Sequence, residues 1–318
     1  MLDDANTVFD CIINETPFKA SKYNNQRGIP MIRLAGSTFA FGNLSLEESS
    51  KILSDMGFSY ADIGGCGWSS FAEWVPQQVV GNIDDSQGEG DRIRKITEAH
   101  GLQISEFFIC NFGHSVNHPD QTIRNQTRET FTKMAAIAKR AGFESMMMLP
   151  GDVHDADNPL VEDLGQSKQQ AWDLAVQELS SMVDIAESNG MHCNVEPCIF
   201  SIAHHPSDCA KLMNDVPGLG ITLDYAHQVQ LELSHEEIEP MHQYARHVQC
   251  KQSAPGEFQA RPDEGVIDFK RVMHKLKADK FDGVVSVEFV SSPEVLEKGW
   301  DLKVESARLK EILDEALG

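Results

Sequence analysis

The sequence predicts a (β/α)8 barrel, with residues 1–28 as an N-terminal extension and the barrel over 29–318. Strand-like apolar runs alternate with helix-like stretches along the chain, the pattern of parallel strands joined by right-handed crossovers. Eight such units fill 318 residues, a usual length for one closed barrel. No GxGxxG follows any strand-like run, whereas an open doubly wound sheet would need a nucleotide site at its switch point.

Taken in order, Met31 to Gly36 reads as the first strand, and Ser45-Leu46-Glu47-Glu48-Ser49 opens a helix with a capping-type start. Tyr60 to Gly64 is the second strand, after a turn at Met56-Gly57-Phe58. A helix near 89–100, a strand from Gln103 to Cys110, a helix near 122–141 and a strand from Ser145 to Leu149 follow. Next come a longer helix from about Lys168 to Ser188, the strand His192 to Glu196 and a helix near 207–214. The last units are the strand Gly220 to Asp224, a helix near 235–244, the strand His247 to Lys251, a helix near 268–279, the strand Val284 to Phe289 and a helix near 303–316.

Composition limits the partners. With 27 Lys+Arg against 49 Asp+Glu, the formal charge of −22 repels polyanions, and the basic residues form no stripe to override it. Nucleic acid and anionic membranes are therefore not expected as partners. The start, Met1-Leu2-Asp3-Asp4, has neither the basic nor the apolar region of a signal peptide, and no apolar run approaches a membrane span, so a soluble, cytoplasmic protein is expected. Seven cysteines without a CxxC pair read as reduced, mostly buried thiols.

In such a barrel the chemistry sits at the C-terminal ends of the strands. The last four strands end in His192-Cys193-Asn194-Val195-Glu196-Pro197, Ile221-Thr222-Leu223-Asp224-Tyr225-Ala226-His227, His247-Val248-Gln249-Cys250-Lys251 and Ser286-Val287-Glu288-Phe289. Strand side chains alternate faces, so Asn194 with Glu196, Thr222 with Asp224, His247 with Gln249, and Ser286 with Glu288 point inward, while Val195, Leu223, Val248 and Val287 pack under the helices. A lone carboxylate at a strand end is more often a helix cap or a surface ion pair, but four ligand-type residues on four consecutive strands reverse that reading. Three carboxylates cannot converge on a barrel mouth and all stay ionised without a cation among them. A divalent metal held by Glu196, Asp224, His247 and Glu288 removes the conflict. Oxygen-rich ligation with one nitrogen suits Mn²⁺, with Mg²⁺ or Co²⁺ as alternatives. His114, His118, His154, His204 and His205 fall in loops after strands and are further candidates for the mouth, whereas Met146-Met147-Met148 reads as barrel packing.

These strand ends, together with Asp263-Glu264-Gly265-Val266-Ile267-Asp268-Phe269, resemble the xylose-isomerase-like barrel family of sugar isomerases, epimerases and related dehydratases. The resemblance is specific over about 190–290. It implies that Glu196, Asp224, His247 and Glu288 are metal ligands, that Glu196 and Glu288 are the acid/base pair, and that His227, Lys251 and Arg261 contact substrate. Ketose 3-epimerases of the family carry a glutamate six residues after the first ligand, where this chain has Ile202, and an arginine six after the histidine ligand, where it has Ser253. Arg261 is the stand-in for that arginine.

The expected reaction is proton abstraction next to a metal-polarised carbonyl, through an enediolate. Its substrate is a small sugar or cyclitol, unphosphorylated because the last two loops carry no glycine-rich cradle or arginine cluster. The alternative in the same site is β-elimination, as in an inosose dehydratase or a keto-glycoside-cleaving lyase. The abasic-site endonuclease branch is remote, since its DNA would meet the acidic surface. Barrels of this family are commonly dimers or tetramers, which leaves a homo-oligomer open.

Overall fold

The computed structural model describes residues 31–64, 79–109, 112, 114–153, 163–199, 201–292, 295 and 297–318. The extension over 1–28 and His154 lie outside them. Among the described residues, eight parallel strands close into a barrel. They are β1 (Arg33–Ser37), β2 (Tyr60–Ile63), β3 (Gln103–Ile109), β4 (Ser145–Met148), β5 (His192–Val195), β6 (Leu219–Asp224), β7 (Ala245–Cys250) and β10 (Val284–Val287). Each neighbours the next in sequence, and β10 pairs with both β7 and β1 to complete the ring. A short antiparallel hairpin, β8 (Gln252–Ala254) and β9 (Glu257–Ala260), interrupts the rhythm directly after β7.

The helices between strands are α1 (Leu46–Asp55), α2 (Ser86–Ala99), α3 (Gln121–Ala141), α4 (Lys168–Ser188), α5 (Pro206–Asp215), α6 (Tyr225–Val229), α7 (His235–Ile238), α8 (Phe269–Ala278) and α9 (Leu302–Leu317). Their ends follow local chemistry. Ser45 and Ser167 each close a capping box, with Glu48 and Gln170 respectively, so orphan N–H groups of the first turn are satisfied. Gly142 ends α3 at φ 100°, a left-handed conformation that suits a residue without Cβ.

The main core lies between strands and helices. Val195, Leu223, Val248 and Val287 all belong to it, as strand alternation requires. Inside the barrel, Phe39, Phe108, Met147 and Val290 form a second apolar cluster, against which Phe258 of the hairpin packs. Met146 and Met148 face the outer core and Met147 the inner cluster, so the methionine run is packing on both faces. No described helix is long and apolar enough to cross a membrane.

Candidate active site at the barrel mouth

Four consecutive strands deliver four ionisable groups at matching positions. Glu196 follows the last residue of β5, Asp224 is the last of β6, Lys251 follows β7 and Glu288 follows β10. Ladder bonds fix two of these ends: Glu196 N–H donates to the Met148 carbonyl at 3.0 Å, and Glu288 N–H to the Cys250 carbonyl at 2.9 Å. All four side chains are buried, Lys251 to 1% exposure.

Lys251 holds the centre. Its Nζ donates to Asp224 Oδ2 and lies 3.7 Å from Glu288 Oε2. Glu288 also accepts from Gln249 Nε2 at 2.9 Å. Asp224 has a second task, because its Oδ1 accepts from Ala226 N–H at 2.8 Å and so caps the one-turn helix α6. That turn swings His227 back to the mouth, with Nε2 3.2 Å from Glu196 Oε1 and 3.8 Å from Asp224 Oδ2. The Phe258 ring covers both groups: Lys251 Nζ lies 4.7 Å from its centroid and the His227 ring 5.3 Å.

The electrostatics separate the two glutamates. Burial would raise Glu196, but His227 and the Lys251 charge outweigh it and hold the carboxyl below its ordinary range. Burial, reinforced by the Glu196 and Asp224 charges, pushes Glu288 well above that range despite Lys251. Burial works against the Lys251 ammonium, yet Asp224, Glu288 and Glu196 together lift it above the usual lysine value. One carboxyl pushed down and its counterpart pushed up is the arrangement of a base and an acid.

His247 is not part of this cluster. It faces inward as alternation requires, but it is the third residue of β7 and pairs with Val284, while Lys251 stands four residues further on, about 13 Å at 3.3 Å per residue. Its Nε2 lies 2.8 Å from Asp62 Oδ2 and 3.9 Å from Glu106 Oε2, deep in the barrel interior. Burial would lower its pKa, but the Asp62 and Glu106 carboxylates outweigh that and raise it to about 9. Asp62 is lowered in turn: burial opposes, while His247 prevails. Glu106 accepts from Ser145 Oγ, Asn194 Nδ2 and Thr222 Oγ1, each at 2.8 Å, so the inward polar residues of β4, β5 and β6 are tied to one carboxyl. Sequence reasoning missed Asp62, Glu106 and Phe258. The first two sit on β2 and β3, strands read only for their hydrophobicity.

Arg261 is likewise not brought to the mouth. Its guanidinium pairs with Glu305 at 3.4 Å and Glu264 at 3.8 Å and lies near the Trp300 ring. His227 and Lys251 are in the cluster. His204 reaches it indirectly, its Nε2 3.1 Å from the His227 carbonyl. His205 caps α5, and His114 stacks edge-on to His118.

Glu196, Asp224 and His227 each place one ligand atom within 4.8 Å of the others, a possible metal-binding triad. The four-ligand centre expected from the sequence does not fit these residues. Its histidine is committed to Asp62, and the group at the end of β7 is an ammonium, which has no lone pair to give a metal while protonated and already holds Asp224 Oδ2.

A family profile described as the xylose isomerase-like TIM barrel matches residues 51–310. The chain belongs to that family. Solved structures share the barrel at low identity. D-psicose 3-epimerase, determined in the presence of D-fructose, superposes with a TM-score of 0.71 at 12% identity, over 90% of this chain and 100% of its own. A 3-keto-D-glucoside 4-epimerase from E. coli gives 0.65 at 14%, over 88% and 100%. The probable 3-DHS dehydratase involved in petrobactin synthesis from Bacillus anthracis gives 0.65 at 13%, over 88% and 99%. Among curated proteins, no sequence match is found.

Proposed function

We propose that this xylose isomerase-like barrel is a carbohydrate isomerase or epimerase that moves a proton at the carbon next to a substrate carbonyl. The observation that carries the reading is the pair of buried glutamates, Glu196 and Glu288, set on either side of the Asp224–Lys251 ion pair at the strand ends. A carbon acid needs a positioned base, a positioned acid and a positive group near the carbonyl oxygen, and these residue types supply all three. Glu196 removes the proton, Glu288 returns one, and the apolar wall of Phe39, Phe108, Met147, Val290 and Phe258 keeps water from the intermediate.

Lys251, the cation in the site, is already matched by Asp224, and Arg261 is held away from the mouth by Glu305, which favours an unphosphorylated sugar or cyclitol. The test is NMR in D₂O with a panel of ketoses, inososes and keto-glycosides, run with and without added Mn²⁺. Solvent deuterium at one carbon of a mass-conserved product is expected. An unsaturated or deoxy product moves the assignment to β-elimination, and no exchange in any member under either condition rejects the reading. Glu196→Gln and Glu288→Gln should each lower the exchange rate by about 10²–10⁴-fold while leaving the circular dichroism spectrum unchanged. Near wild-type rates in both would remove them from the chemistry.

A further inference from the structure

Three buried carboxyl groups surround one ammonium at this mouth, and the ammonium comes from the chain itself. We propose that Lys251, rather than a divalent metal ion, is the resident cation of the site and donates a hydrogen bond to the substrate's carbonyl oxygen. The inference deepens the proton-transfer reading above and rests on it.

The geometry leaves little room for both cations. Asp224 Oδ1 is taken by Ala226 N–H and Oδ2 faces His227, so a divalent ion on Glu196, Asp224 and His227 would share Oδ2 with the Lys251 Nζ, placing two positive centres on one oxygen. Lys251 cannot readily withdraw, because lysines avoid burial by extending to water, and this one lies beneath the Phe258 ring with 1% of its surface exposed. The charge that a metal would neutralise is already partly neutralised. An ammonium has three N–H groups. One goes to Asp224, and Glu288 at 3.7 Å lies beyond hydrogen-bonding distance, so among the described residues donors remain for a bound oxygen.

In the reaction, a carboxylate takes the proton from the carbon beside the carbonyl. The C–H pair forms the carbon–carbon double bond, and the carbonyl π pair moves onto oxygen, where a Lys251 N–H stabilises it. Return of a proton from the other carboxyl reverses the flow, with no net oxidation. A metal grips two neighbouring oxygens, whereas an ammonium point charge recognises one. The substrate class therefore extends to ketones whose neighbouring carbon bears a hydrogen but no chelating hydroxyl.

The experiment uses the full chain, treated with EDTA and desalted, and titrates Mn²⁺ while electron paramagnetic resonance counts the free ion. Wild type is compared with Lys251→His, which installs an imidazole ligand, and with Lys251→Met, which removes the charge. Mn²⁺ should bind wild type at least 100-fold more weakly than the tighter of the two variants, and EDTA should change the wild-type deuterium exchange rate less than twofold. One Mn²⁺ per wild-type chain at micromolar concentration, or exchange lost with EDTA and restored by Mn²⁺, overturns the proposal. Should neither variant fold, the wild-type titration decides alone. Absence of exchange under every condition defeats the proton-transfer reading, while the binding arm still decides which cation the site holds.

Discussion

Lys251 and His247 show what a sequence can and cannot say about a barrel interior. Residues 247, 249 and 251 share one face of β7, so side-chain alternation places all three inside but does not say at what height. Height comes from register: His247 pairs with Val284, and Cys250 with Val287, which sets Lys251 beside Glu288. Counting from each strand's last residue would have exposed this, since Glu196, Lys251 and Glu288 all stand one residue beyond their strands. Counted from Lys251 instead of His247, the sixth residue onward is Glu257, so the family's arginine is missing in either register. Because Lys251 is buried among carboxyl groups, its loss leaves charge uncompensated. Lys251→Met should destabilise the metal-free protein by about 3–5 kcal/mol in urea unfolding. A change under 1 kcal/mol would mean that the ion pair is not buried in solution.

Among the elements, the eight strand–helix units and most of their boundaries were legible, because strongly periodic stretches with polar caps leave few alternatives. The capping box of α4 tests how much such a local signal contributes. Ser167→Ala removes the acceptor for Gln170 N–H and should cost about 1 kcal/mol, visible as a lower Tm. An unchanged Tm would place the start of α4 under tertiary rather than local control. The hairpin over 252–260 was not legible. Its strands are three and four residues long, too short for alternation to register, and what holds them is side-chain work from elsewhere. Gln230 Nε2 alone lies within 3.1 Å of Ser253 Oγ and the Ala254 and Glu257 carbonyls. The helix expected near 235–244 likewise divides into α7 and a 3-10 turn over Glu239–Tyr244, with Pro240 at its start, where a missing N–H costs least.

For the whole molecule, the buried pair His247–Asp62 ties β7 to β2 across the barrel interior, with β10 and β1 between them in the ring. Its imidazole is raised to about 9 when folded, against about 6.5 in an unfolded chain. A raised pKa makes the stabilisation complete below about 6.5 and progressively lost as pH rises through about 9. Urea unfolding should therefore show falling stability between pH 7 and 9, and His247→Gln should flatten that slope. A wild-type profile flat over this range would show that the pair does not bear on stability. The −22 formal charge belongs mostly to the exposed surface, but Asp62, Glu106, Glu196, Asp224 and Glu288 are buried members of it, and His247 and Lys251 are their internal counter-ions. At the top of the same wall, Gln259 behaves as a piece of main chain. Its Nε2 donates to the Val290 carbonyl at 3.0 Å, and its Oε1 accepts from Val290 N–H at 2.6 Å. One amide side chain thus supplies the rung that a longer strand would have made, and it carries the wall one storey above β7 and β10. The rim is thus raised above β7 and β10, on the side where Phe258 stands.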